Sequence, residues 1–171
     1  MMNKHAAWSW LLAISLCASG SALAYPKFAS ANSSQAAYLN ALKQTHQQSD
    51  ARSALLAEVN MLLKHYALKD GQQNGALRAT NQLYQVRVEA PGELIVRLDQ
   101  GAPQAFKVSS TRYNVFGVDP YVQYDCQTQP LACEIKLPSA PSPWLMIVRD
   151  RQGAAELAKA LSYLLRDLQK G

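Results

Sequence analysis

Charge is scarce in this sequence. Only 17% of its 171 residues are Asp, Glu, Lys or Arg, while 49% are hydrophobic. That balance excludes a disordered polyelectrolyte and any low-complexity polymer. Histidine is rarer still, at three residues, so His-dependent chemistry has few groups to draw on. The 8 glycines stand singly and form no phosphate-cradling loop. No serine lies in a G-x-S-x-G elbow. No cysteines stand at C-x-x-C spacing, and Cys126 and Cys133 lack the two further close ligands a zinc site wants, so neither a redox centre nor a metal is expected. Lys and Arg outnumber Asp and Glu by 17 to 12, but no three basic residues run together. The densest site, Arg149-Asp150-Arg151, contains its own acid. Nucleic-acid recognition wants a clustered basic patch, so no nucleic-acid partner is expected. Attraction to an anionic envelope surface is left as a non-specific property.

What is present is first of all an address. Met1–His5 carries one fixed cation, Lys4, followed by the uncharged run Ala6–Cys17 and by small residues ending at Ala22 and Ala24. A short apolar core followed by A-x-A is the pattern of a cleaved secretory signal. The run is too short for a membrane span, which takes about 20 apolar residues. Leu16, ahead of Cys17, is larger than the small residue a lipid-attachment signal places there. The expectation is cleavage of residues 1–24 after Ala24 and a periplasmic or secreted protein of Gram-negative type. No later apolar run is long enough to span a membrane. Loss of Lys4 lowers the formal net charge by one from +5. Two cysteines then remain, and in an exported chain they most simply form one disulfide.

Residues 25–82 read as a helical region and a joint, and residues 83–171 as a sheet with a closing helix, the two together forming one compact domain. A first helix is expected from a cap at Ser33 or Ser34 to about Gln44. A second runs over 50–69, capped by Asp50, with Leu55, Leu56, Val59, Leu62, Leu63 and Tyr66 on one face and Asp70-Gly71 as its stop. Residues 70–76 look like a flexible joint. From Leu83 the period changes to two. Tyr84, Val86 and Val88, then Leu94, Val96 and Leu98, alternate with polar residues around a Pro91-Gly92 turn, which predicts a hairpin. Further strands are expected at 105–111, at the aromatic stretch 113–116, and near 121–126 and 132–137. The apolar run 144–148 reads as a central strand. A last amphipathic helix, about Gln152–Gln169, carries Leu157, Leu161, Leu164, Leu165 and Leu168 as its stripe, with Asp150 as cap and Glu156, Lys159, Ser162, Arg166 and Asp167 facing elsewhere. The class is therefore α+β, with N-terminal helices, a largely antiparallel sheet of about six short strands and a C-terminal helix packed on it. Strands followed by a closing helix also resemble the order of a pleckstrin-homology-like split barrel, the alternative within this reading.

The chemistry-bearing residues are few. Cys126 shares strand parity with Val122 and Tyr124, and Cys133 with Ile135 and Leu137, so both sulfurs belong to apolar faces of adjacent strands and a structural disulfide is expected. In the chain-entropy model a loop this short contributes ~2–2.5 kcal/mol. His46 falls in a polar connection. His65 lies on the second helix with no acid at i±3 or i±4, and reads as a surface residue. Asp119, before Pro120, has turn chemistry, and Asp125 lies on the face opposite Cys126. Nothing in the spacing sets two carboxyls at the separation a glycosidase needs. The segment 112–124 concentrates aromatic residues and Arg112 around a Gly/Pro turn, and Tyr and Arg are enriched where proteins recognise partners. Arg112, Tyr113 and Tyr121 are the expected exposed binding residues, and Tyr124 a core residue.

The functional expectation is a small exported binding, adaptor or inhibitor module that acts on a protein or an envelope polymer, with no catalytic residue and no cofactor. One alternative is a lipid or small-ligand carrier with a cavity between sheet and closing helix. The other is an envelope hydrolase, with His65 or the Asp119/Asp125 region as first suspects. The sequence leaves the oligomeric state open. Two outcomes check the address and the disulfide together. Mass spectrometry of the protein exported with its own leader is expected to show a chain beginning at Tyr25. Iodoacetamide is expected to label neither Cys126 nor Cys133 before reduction and both after it.

Overall fold

A computed structural model describes residues 31–69, 81–102, 105–129, 131–141 and 143–171. The expected leader, the joint at 70–76 and the tip of the 100–104 turn lie outside the described residues. The elements are α1 (Ala31–Thr45), α2 (Ala51–His65), β1 (Asn81–Ala90), β2 (Glu93–Ala102), β3 (Ala105–Asn114), β4 (Gln123–Cys126), β5 (Ala132–Lys136), β6 (Leu145–Val148) and α3 (Arg151–Leu168). The α+β class is as the sequence implies. The six strands are divided between two antiparallel sheets, ordered β1-β2-β3 and β4-β5-β6.

The helices α2 and α3 start where their sequence provides an acceptor. The Asp50 carboxylate accepts the Ser53 N–H at 2.8 Å, and this bond is the main cause holding its pKa below the ordinary carboxylate value. Asp150 accepts the Gly153 N–H at 2.7 Å. α1 begins at Ala31, so Ser33 and Ser34 lie within it rather than ahead of it. α2 ends earlier than its pattern implies, at His65 rather than near Asp70-Gly71. Tertiary bonds explain the early stop. The Tyr66 carbonyl accepts the Val148 N–H at 2.9 Å, and the Leu68 carbonyl accepts the Gln82 N–H at 2.9 Å. Both sheets thus bond the segment that follows His65 and hold it out of the helix.

The core lies around α3. Leu157, Leu161, Leu164, Leu165 and Leu168 are fully buried, and they share one apolar cluster with Leu55, Val59 and Leu63 of α2 and with Ile135, Leu145 and Ile147 of the second sheet. Ser162, expected to face away, is buried as well. Its Oγ donates to the Ala158 carbonyl at 2.7 Å and accepts the Val122 N–H at 3.0 Å, which satisfies a backbone donor on the approach to β4. The apolar run 144–148 supplies an edge strand, β6, rather than a central one. It is apolar because Trp144, Leu145 and Ile147 are buried in the core all the same. Tyr84 of β1 meets the backbone of Met146, and burial raises its pKa. The Tyr113 ring stands edge-on to Trp144 at 5.8 Å. These aromatic contacts join the two sheets.

The first sheet also hangs on α2. Asn60 accepts the Val86 N–H at 2.8 Å and donates to the Val86 carbonyl at 2.9 Å. A single side chain thereby closes the outer edge of β1 at mid-strand. The 105–111 and 113–116 stretches, expected as separate strands, form the single ten-residue β3 out to Asn114. At the β1–β2 turn Gly92 has φ +70, with the Phe116 ring packed so closely that a Cβ would collide with it. Cys126 and Cys133 face each other in the β4–β5 register and form the disulfide, with Cα atoms 4.0 Å apart. The Gln127 N–H bonds the Ala132 carbonyl at 3.0 Å, so the cysteines occupy a close, non-hydrogen-bonded pair.

Two substitutions separate satisfied from unsatisfied buried polar groups. Asn60→Ala leaves both Val86 groups without their partner and is expected to cost about 2–3 kcal/mol in urea unfolding. The buried Trp144 Nε1 has no partner among the described residues. Trp144→Phe removes that orphan and a little volume together, so it is expected to cost under about 1.5 kcal/mol.

Candidate functional site

A groove of about 490 Å³ runs along α3, on the flank of the leucine stripe. Its α3 wall is a strip at helical spacing: Ala155, Ala158, Lys159, Ser162, Tyr163 and Arg166. Its other wall is the extended segment Tyr121–Tyr124 that leads into β4. The bottom is made by the buried Val122, Ala158 and Ser162, held together by the Ser162–Val122 bond. Lys159, Arg166, Tyr121 and Tyr124 are exposed around it. Small residues on the helix make the depth, and long ones make the rim.

The rim is aromatic and cationic. Tyr121 is 58% exposed and Tyr124 38% exposed. Tyr124 is thus not in the core, as its parity with Cys126 implied. β4 is an edge strand, and the small α3 side chains opposite leave open space where a core neighbour would stand. Tyr163 packs on Tyr38 of α1 with centroids 5.3 Å apart. The Lys159 ammonium stands 4.1 Å from the Tyr38 ring centroid, and the Arg166 guanidinium 5.8 Å from that of Tyr163. Burial, and then the nearby Glu58 carboxylate, push the Tyr38 phenol far above the ordinary tyrosine range, so it stays neutral. Glu58 is itself held by the His46 Nε2 at 2.6 Å. None of the residues lining the groove is acidic, and two are cations. Such a site attracts negative charge and offers flat ring surfaces to stack on.

The three sequence-derived binding residues do not converge. Tyr121 lines the groove, while Arg112 and Tyr113 do not. Arg112 is exposed at the far end of β3, but its guanidinium is held by Glu89 and Glu93, each at 2.6 Å. Its charge is answered within its own sheet. Tyr113 is half-buried against Trp144. Lys159, Tyr163 and Arg166 were the residues that sequence reasoning did not bring forward. Their i, i+4, i+7 spacing beside the leucine stripe was the available signal.

The other chemistry-bearing residues have local roles. His65 is exposed and stands edge-on to Tyr66 at 4.6 Å. Asp119 accepts the Tyr121 N–H at 2.9 Å, closing the turn before the groove wall. Asp125 pairs with Lys136 at 3.5 Å. Among the described residues no three His, Cys, Asp or Glu side chains gather as a metal site.

No known protein family, curated protein or solved structure matches this chain. The site's chemistry therefore rests on its own geometry.

Ser162 is the residue on which the groove's shape turns. Ser162→Ala leaves the Val122 N–H without its acceptor and is expected to lower stability by about 1–2 kcal/mol in chemical denaturation. The Tyr121 and Tyr124 ring resonances are expected to shift with it, while those of Tyr113 stay in place.

Proposed function

We propose that this chain is an exported, non-catalytic binding module whose groove holds an extended, acidic segment of a partner protein. The observation that carries the reading is the groove rim. Three tyrosines and two cations surround a floor of small residues, and no carboxylate lies among the lining side chains. A carboxylate-bearing chain would meet Lys159 and Arg166 and lay its backbone and stems along Tyr121, Tyr124 and Tyr163. Arg and Tyr are residue types that dominate recognition energetics. The leader pattern supports export, as does the Cys126–Cys133 disulfide. Among the described residues no helix is long and apolar enough to cross a membrane.

Two features favour binding over hydrolysis and over carriage. His65, Asp119 and Asp125, the residues first suspected of catalysis, have the separate local roles described above. Between α3 and the strands β5 and β6 the space is filled by buried leucine and isoleucine side chains, and the space beside β4 is a groove with an exposed rim.

Calorimetric titration with a synthetic octapeptide of alternating Glu and Gly tests the reading, with the Gln analogue as its uncharged control. The Glu peptide is expected to bind with an affinity that falls as salt is raised. The double variant Lys159→Ala/Arg166→Ala is expected to weaken it roughly tenfold or more, while Arg112→Ala leaves it unchanged. Equal affinity for the two peptides, or no loss in the double variant, would remove the basis for the proposal.

A further inference from the structure

The second wall of the groove is a strand edge as well as a row of rings. β4 pairs with β5 on one side only. The Gln127 N–H bonds the Ala132 carbonyl, and the register continues through Asp125–Glu134 and Gln123–Lys136. These pairs face β5, so alternation turns the backbone groups of Val122, Tyr124 and Cys126 the other way. The Val122 N–H shows where that way leads, since it ends on the Ser162 Oγ of α3 at 3.0 Å. The outward edge of β4 therefore opens into the groove.

α3 answers that edge once. β4 and α3 run in opposite directions. Val122 lies at Ser162, while Cys133, opposite Cys126, has its Sγ 3.5 Å from the Asp150 carbonyl at the start of the helix. Two residues along a strand advance about 6.6 Å, and four residues back along a helix about 6 Å. Tyr124 is thus set level with Ala158, with Ala155 beyond it. An alanine side chain has nothing to bond the Tyr124 N–H and C=O, and no other described residue bonds them. The charges at the rim select the occupant. Lys159 and Arg166 form no ion pair among the described residues. Glu156, one turn ahead of Lys159, is bonded to Gln152 at 3.0 Å. The two cations are seven residues apart, about 10.5 Å along the axis. Acids at alternate positions of an extended chain share one face about 7 Å apart, and glutamate stems span the difference.

We infer that the partner's segment adds to β4 as a further strand, its backbone bonding the Tyr124 N–H and C=O and its acids standing at alternate positions on the face turned to Lys159 and Arg166. This rests on the acidic-segment reading above and specifies the partner further. The occupant is an extended chain with a free backbone N–H at that point, not a helix and not an acidic patch on a folded surface. In such strand addition the main-chain bonds supply affinity, and the alternate side chains supply the choice of sequence.

Amide hydrogen exchange, read by NMR on the exported form of the chain with and without saturating Glu–Gly octapeptide, tests it. In the free protein the Tyr124 N–H is expected to exchange faster than those of Gln123 and Asp125, which are bonded to β5. The peptide is expected to slow Tyr124 at least about tenfold. Tyr124→Pro removes the outward N–H and no bond to β5. It is expected to weaken calorimetric binding at least about fivefold more than Tyr124→Ala, which removes the ring and keeps the N–H. If proline unfolds the chain, the wild-type exchange decides alone. A peptide that binds, and whose binding is lost in Lys159→Ala/Arg166→Ala, yet leaves Tyr124 exchange unchanged overturns the added strand and leaves the acidic-segment reading standing. Equal losses in the two folded Tyr124 variants overturn it as well. A peptide that gives no binding at all removes both.

Discussion

The whole arrangement depends on covering one stripe of α3. Its five leucines have no exposed surface, and each contributes on the order of 2 kcal/mol when taken out of water. A helix alone cannot bury them. α2 closes one flank with Leu55, Val59 and Leu63, and the second sheet closes the other with Ile135, Leu145 and Ile147. Once these partners are in place, the neighbouring strip of α3 cannot also be covered. Ser162 meets the Tyr121–Tyr124 segment only at the Val122 N–H, Ala155 and Ala158 are too small to fill the space beside that bond, and the groove is what remains. Core and candidate site are thus two adjacent strips of the same helix.

The first sheet joins this centre by one face only. Val86, Leu94 and Val96 share the apolar cluster of α3, and Asn60, Tyr84, Tyr113 and Trp144 add polar and aromatic contacts. Its inner rows near Val86, Leu94 and Val96 are buried, whereas β3 extends outward with only Tyr113 partly covered. The geometry explains how a chain with ordinary hydrophobic content still exposes Phe106 and Val108. They lie on the far strand of a sheet whose near strand alone is fastened down. A disulfide between β4 and β5 stabilises the other sheet, where the strands are short, at four and five residues.

What was legible in the sequence was local. Asp50 and Asp150 start α2 and α3 because a carboxylate near free backbone N–H groups acts within one turn. The leucine stripe, the Pro91-Gly92 hairpin and the facing cysteines follow from periodicity and parity. What was not legible came from partners distant in the chain. The end of α2 is decided by Val148 and Gln82, and the burial of Ser162 by Val122. Tyr124 has core parity but faces small residues on α3, so it is exposed. Of the candidate site, Tyr121 was legible as an exposed ring beside a turn. Arg112 and Tyr113 carried the same signal, yet one is engaged by two glutamates and the other by Trp144. Lys159, Tyr163 and Arg166 were visible as a strip, but only the packing on either side decides which strip of a helix stays open.

The central claim is that α3 divides into a closed strip and an open one. Hydroxyl-radical footprinting of the folded chain reads both at once, since leucine and tyrosine side chains are oxidised when solvent reaches them. The account requires Tyr121 and Tyr124 to be modified readily and Tyr163 partly, with Leu157, Leu161, Leu164, Leu165 and Leu168 left intact. Oxidised α3 leucines, or protected Tyr121 and Tyr124 in the monomer, would contradict it.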